Sequence, residues 1–137
     1  MDIAKGYAKI FGAVLLLVGI LGFIPGVSSG YSDSGLLLGI FAINPLHNVI
    51  HIVTGLAALG AGFYGDGAYA RMYALVFGLL YALVTIVGFG GILFTAPGNF
   101  LGIVPINTAD NFFHLAIAVT LLGAYFLSRS QPAVRTA

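Results

Sequence analysis

The sequence has no cysteine. That excludes a disulfide framework, an iron–sulfur cluster, a thiolate metal site and a cysteine nucleophile. Charge is nearly as scarce. The chain of 137 residues carries 5 basic and 4 acidic side chains, or 7%, where a soluble domain carries about 25%. So few charges do not coat a soluble particle of this size. A net charge of +1 leaves no basic surface for nucleic acid. Disordered chains are poor in apolar residues, and 60% of this one is apolar. What is present is the composition of an integral membrane protein, of a length that suits a single transmembrane domain over residues 1–137.

The charged residues are Asp2, Lys5, Lys9, Asp33, Asp66, Arg71, Asp110, Arg129 and Arg135, and the gaps between them are apolar. A helix crosses the hydrocarbon core with about 20 such residues. Ile10 to Ile24 is unbroken and, with Ile3 to Lys9 ahead of it, forms helix 1, which Pro25-Gly26 ends. Helix 2 is expected over about 45–64 and helix 3 over about 70–94, with Pro97-Gly98 closing it; helix 4 spans about 108–127. The turn Gly65-Asp66-Gly67 is too short for helices 2 and 3 to be anything but antiparallel neighbours. Residues 128–137 form a polar tail. The expected fold is all-α, a four-helix membrane bundle.

The chain has 20 glycines. In a membrane, small residues let helices approach closely. Gly12, Gly19 and Gly22 lie along helix 1, and Gly55, Ala58, Leu59 and Gly62 along helix 2. These are expected to pack within the chain, with a homo-oligomer contact as the alternative. Lys5, Lys9, Arg71, Arg129 and Arg135 all fall on one side of a four-helix bundle, which the positive-inside rule makes cytoplasmic, with both termini. Tyr7, Tyr64, Tyr69, Tyr73 and Tyr125 gather at that boundary like an aromatic belt. The loops 25–44 and 95–107 then face the exterior or lumen.

The chain also repeats itself. Residues 38–63 match residues 101–126 at an offset of 63, with 11 identities in 26 positions. Leu38-Gly39-Ile40 matches Leu101-Gly102-Ile103, Asn44 matches Asn107, Asn48 matches Asn111 and His51 matches His114. At an offset of 66, Tyr7-Ala8 and Phe11-Gly12 match Tyr73-Ala74 and Phe77-Gly78, and Gly22-Phe23 matches Gly88-Phe89. The expected architecture is two tandem helical hairpins, about 1–64 and 70–127, related by a pseudo-two-fold axis along the membrane normal. Helix 1, with lysines, an apolar run and then Gly26-Val27-Ser28-Ser29, has the pattern of a secretory signal. Its match to helix 3 argues that it belongs to the fold. The apolar stretch 35–41 is too short to span and is expected to pack at the outer interface.

One polar cluster stands out. Helix 2 starts with Asn44-Pro45-Leu46-His47-Asn48-Val49-Ile50-His51, and helix 4 with Asn107-Thr108-Ala109-Asp110-Asn111-Phe112-Phe113-His114. All three histidines of the protein are here. Asn44 and Asn107 are placed to cap their helices, Pro45 suits the first helical position, and His47 and Asp110 fall at the third. His47 with His51, and Asp110 with His114, share a helix face at i,i+4 spacing. Asn48 and Asn111 flank those faces.

Polar groups at such depth need partners, and three arrangements fit. The first is a hydrogen-bonded network of Asn44, His47, Asn48, His51, Asn107, Asp110, Asn111 and His114. It would lock the repeats together, with His51 and His114 bonded to Asn111, Asn48 or loop carbonyls. The second is a metal site for zinc or a divalent iron or copper ion, with His47, His51 and His114 as nitrogen ligands and Asp110 as oxygen ligand. The third pairs His51 and His114 as axial ligands to haem, or sets one of them on a chlorophyll magnesium. Ser28, Ser29, Ser32 and Ser34 lie in the first outer loop near the histidines, but nothing fixes a catalytic geometry, and no enzymatic activity is expected. No charge sits at the bilayer midplane, where Tyr81 and Thr85 are the notable polar groups of helix 3, so transport has little support.

The motifs Asn44-x-x-His47-Asn48-x-x-His51 and Asn107-x-Ala109-Asp110-Asn111-x-x-His114 resemble those of a bacterial family of small membrane proteins labelled domain of unknown function 4383. The resemblance covers nearly the whole chain. It implies four helices and a bacterial plasma-membrane or thylakoid location, and it brings no activity. The expected role is that of a small membrane accessory protein, partnered by the lipid bilayer and packing in a homo-oligomer or larger membrane complex. The alternative is a protein that binds a divalent metal or a tetrapyrrole through His47, His51, Asp110 and His114.

Overall fold

The computed structural model describes residues 2–65, 67–91, 94–96 and 98–128. Asp66, Pro97, Arg129 and Arg135, together with the rest of the expected tail beyond Ser128, lie outside the described residues. Four helices carry the fold: α1 (Ile3–Leu21), α2 (Pro45–Phe63), α3 (Ala68–Gly90) and α4 (Thr108–Leu127). They are 19 to 23 residues long and apolar enough to cross a membrane, which takes about 20 residues. The chain is therefore a four-helix membrane protein, as its composition predicts.

Helix 2 and helix 4 begin where the sequence places them. Helix 1 stops at Leu21 rather than Ile24. There the amides of Phe23 and Ile24 bond to the carbonyls of Ile20 and Leu21, an i to i−3 pattern that tightens the chain into 3₁₀-type turns. Helix 3 ends at Gly90, because Gly91 adopts a left-handed φ of 64° and its amide caps Val87. Phe94, expected to be helical, belongs instead to a strand.

Short antiparallel strands replace the expected irregular loops. In the first loop β1 (Gly35–Leu37) pairs with β2 (Phe41–Ile43). In the second, β3 (Phe94–Ala96), β4 (Asn99–Phe100) and β5 (Val104–Pro105) form a three-stranded sheet in that order. The β1–β2 and β4–β5 connections turn on Leu38-Gly39 and Leu101-Gly102. All four residues have positive φ, at 53°, 71°, 52° and 74°. Consecutive left-handed residues make the tight turn that matches strand twist, and leucine is an unusual residue to find there.

The two extensive helix contacts are α1 along α2 and α3 along α4. Glycine makes the first close. A side chain starting at Gly12 would come within 2.8 Å of the Gly55 carbonyl, and one at Gly55 within 2.9 Å of the Gly12 carbonyl. Phe11, Leu15, Ala58, Tyr73, Ala74, Tyr81, Ile117, Ala118 and Leu121 form the core between the helical hairpins. Two tyrosines of the expected belt belong to that interior. Tyr73 stacks on Phe77 at 4.3 Å and donates to the Thr54 carbonyl at 3.1 Å; Tyr7 stacks on Phe11 and its hydroxyl pairs with Thr120. Tyr64 and Tyr69 remain exposed, and Tyr125 lies under the Arg71 guanidinium.

The amide of Ala4 donates to the Ser128 hydroxyl oxygen at 2.7 Å, and Lys5 donates to the Gly65 carbonyl at 2.8 Å. The start of α1, the end of α4 and the α2–α3 connection thus share one end of the bundle. The strands, and with them the starts of α2 and α4, occupy the other, here called the loop end.

Candidate metal centre

Each of the two helix starts at the loop end is fixed by an asparagine. The Asn44 side chain accepts from the His47 amide at 2.9 Å, with Pro45 in the first turn. The Asn107 side chain accepts from the Asp110 amide at 3.0 Å, and Asp110 Oδ2 accepts from the Asn107 amide at 2.8 Å, which completes a capping box. The remaining amide groups of the two caps cross over. Asn44 Nδ2 donates to the Ile103 carbonyl at 2.7 Å and Asn107 Nδ2 to the Ile40 carbonyl at 2.8 Å. Each cap therefore orders its own helix with its oxygen and clasps the opposite loop with its nitrogen.

Asp110 reaches further. Its Oδ2 also accepts from the Ala42 amide at 3.0 Å. The carbonyl of Ala42 in turn accepts from His47 Nδ1 at 3.1 Å. A carbonyl only accepts, so Nδ1 carries the hydrogen, which leaves a lone pair on Nε2 of a neutral ring. The Pro105 carbonyl approaches the same imidazole. A buried carboxylate and a histidine thus hold the two sides of one residue, Ala42.

His47, His51 and His114 are all buried, and one ring nitrogen from each lies within 4.8 Å of the others. Ring centroids are 4.5 Å apart for His47 and His51 and 6.2 Å for His47 and His114. The i,i+4 spacing stacks the first two on α2, and α4 brings in the third. Among the described residues the grouping holds three of the four expected ligands. Asp110 stands outside it, its Oδ2 taken by two backbone amides.

Asn48 and Asn111 do not bridge the two helical hairpins. Asn48 lies against Gly22 of α1's end, and Asn111 against Gly88 of α3, so closely that a side chain on either glycine would overlap the amide. Each asparagine is committed to its own hairpin. Among the described residues, Nδ1 of His51, Nδ1 of His114, both amide atoms of Asn48 and Oδ1 of Asn111 are buried without a hydrogen-bond partner. Buried polar atoms in this condition are uncommon. Ser28 and Ser29 spend their hydroxyls on loop backbone, at Gly30 and Leu36.

The three imidazoles open onto a cavity of about 140 Å³. Ile50 and Thr54 of α2, Phe77, Leu80, Tyr81 and Val84 of α3, and Phe100, Val104 and Ile106 from the second loop complete its lining. Tyr81 packs on His114 at 5.5 Å between ring centroids and pairs with Thr54. Of these residues only Tyr81 announces itself in the sequence, as a polar group in an apolar helix. The loop residues give no sign, since their role depends on how the second sheet folds over the bundle.

Four membrane-crossing helices that bury three histidines at one end, beside an apolar cavity, define a class: a small membrane protein with an enclosed imidazole cluster. Within that class the chain belongs to the family described as Domain of unknown function (DUF4383), whose model matches residues 5–127. The match takes in all four helices and the whole cluster. No curated protein and no solved structure matches the chain.

Proposed function

We propose that the protein holds one divalent first-row transition metal ion on His47, His51 and His114. The observation that carries this reading is the convergence of three buried imidazoles that make no hydrogen bond to one another. Tetrahedral ligands at the usual 2.0–2.1 Å from zinc stand about 3.3 Å apart, so nitrogens within 4.8 Å close on an ion by small side-chain rotations. His47 has the carbonyl partner at Nδ1 that metal-bound histidines commonly have. A purely structural network is less well supported, because Asn48 and Asn111 turn to glycines instead of the histidines. The tetrapyrrole alternative lacks room: the cavity is about 140 Å³, and about 150 Å³ holds one benzene ring.

We further place the cluster on the side of the membrane away from the cytoplasm. Supporting this, Lys5 and Arg71 belong to the opposite end of the bundle, with the start of α1 and the end of α4. A second reading, an accessory subunit of a larger membrane assembly, is favoured by Gly60 and Gly123. These sequence-matched glycines have no neighbour within 4 Å at the point where a side chain would begin, so they offer close-approach surface to another helix. The family resemblance supports a bacterial plasma-membrane or thylakoid location.

The test is titration of chelator-treated, detergent-purified protein with cobalt(II). One ion per chain and the intense visible bands of tetrahedral cobalt are expected, with at least about tenfold weaker binding in His51→Ala and in His114→Ala. Binding that is unchanged in a His47→Ala/His51→Ala/His114→Ala variant overturns the proposal. Migration of the pure protein as a lone monomer under all conditions counts against the accessory reading.

A further inference from the structure

Three protein ligands leave a tetrahedral ion one position open, the arrangement of catalytic and not of structural sites. What reaches that position is decided by the cavity beside it. Phe77, Leu80 and Val84 of α3 and Ile50 of α2 are among its walls, and among the described residues no Lys, Arg, Asp or Glu lines it. Apart from the ion itself, a charged ligand would find no side chain of opposite charge along these walls to offset its lost hydration. The volume, about 140 Å³, is close to the roughly 150 Å³ that takes up benzene when lined by apolar side chains. Leu80 and Ile50 are also half-exposed on the outside of the bundle, and α2 and α3 touch each other little. The gap between these two helices faces the bilayer, so a lipid-soluble molecule has the most direct access.

From these observations we infer that the cavity takes a single ring bearing a hydroxyl, a phenol or quinol drawn from the membrane, with its oxygen on the ion's fourth position. The ring fills the apolar space against Phe77 and the aliphatic walls, and the hydroxyl oxygen takes the ion's open position. This inference rests on the metal reading and is separable from it by experiment.

The experiment uses the full chain in detergent, loaded with cobalt(II), and phenol as the probe. Phenol is expected to shift the cobalt bands saturably, while toluene, which matches it in size and has no oxygen donor, leaves them unchanged. In Val84→Trp the cobalt spectrum should persist and the phenol response should weaken at least tenfold; Leu80→Phe serves if the tryptophan variant does not fold. A cobalt spectrum that phenol does not alter overturns this inference and leaves the metal site standing. An equal phenol response in the wall variants overturns it as well. Failure of the cobalt bands to form at all removes both.

Discussion

α2 and α4 are capped alike and differ in chemistry at their third residue. Both start after a capping asparagine, and both caps clasp the opposite loop. At the third position α4 has Asp110 and α2 has His47. The two side chains meet on the same residue, Asp110 taking the Ala42 N–H and His47 its carbonyl. The sequence position that matches Ala42, at an offset of 63, is Pro105. Proline has no N–H to give. An acid at position 47 would face a peptide that cannot donate to it, whereas a histidine there still has the Ala42 and Pro105 carbonyls within reach. The difference between the two starts is thus concerted: one end spends its third residue on backbone, and the other turns its third residue into a candidate ligand.

That contrast is broken most strongly at Asp110. Asp110→Ala leaves two buried amides, of Ala42 and Asn107, without an acceptor, at about 1–3 kcal/mol each. An overall loss of about 3 kcal/mol is expected in denaturant unfolding in detergent, against about 1 kcal/mol for His47→Ala. Equal losses would mean that the two starts do the same structural work. Next in size is His47→Asp, expected to cost about 2 kcal/mol by burying a poorly paired carboxylate. Adding Pro105→Ala restores a donor and should recover about half; a double-mutant cycle with no coupling refutes the concerted account.

Glycine packing gives a smaller contrast. Gly12→Ala forces α1 from α2 and should cost about 1 kcal/mol or more. Gly123→Ala, with open space around it, should be neutral or stabilise by a few tenths. The smallest effect is expected at the turns. Leu38→Gly and Leu101→Gly each relieve a left-handed leucine, with a gain of about 0.5 kcal/mol in unfolding free energy. Gains that differ between the two would show that the turns are held differently by their sheets.

Much of this was legible beforehand, and the reasons are specific. Helix 4 was placed to the residue because Asn107 and Asp110 form a local capping pattern that needs no knowledge of the rest of the chain. The ends of helices 1 and 3 were not, because they depend on 3₁₀ tightening and on Gly91 among many glycines. Strands of two or three residues are too short to show a period. Spacing put Asn48 beside the face of His47 and His51, yet it does not say which neighbouring helix meets that side; Gly22 decided this by leaving room for the amide. Asp110 looked like a ligand from its register with His114. Only the fold of the first loop, sixty-odd residues earlier, reveals that the carboxylate is engaged by Ala42.

The reach of that contact bears on how the protein is made. Ala42 and Asp110 are separated by 68 residues. A ribosome feeding this chain into a membrane delivers the Ala42 amide and the Asn44 side chain well before Asp110 and Ile103 exist to receive them. Until α4 arrives, the first half holds donors with no acceptor, and water or the insertion machinery must satisfy them. The three-histidine grouping is therefore complete only once α4 is in place, because His114 is the last of its members to be made.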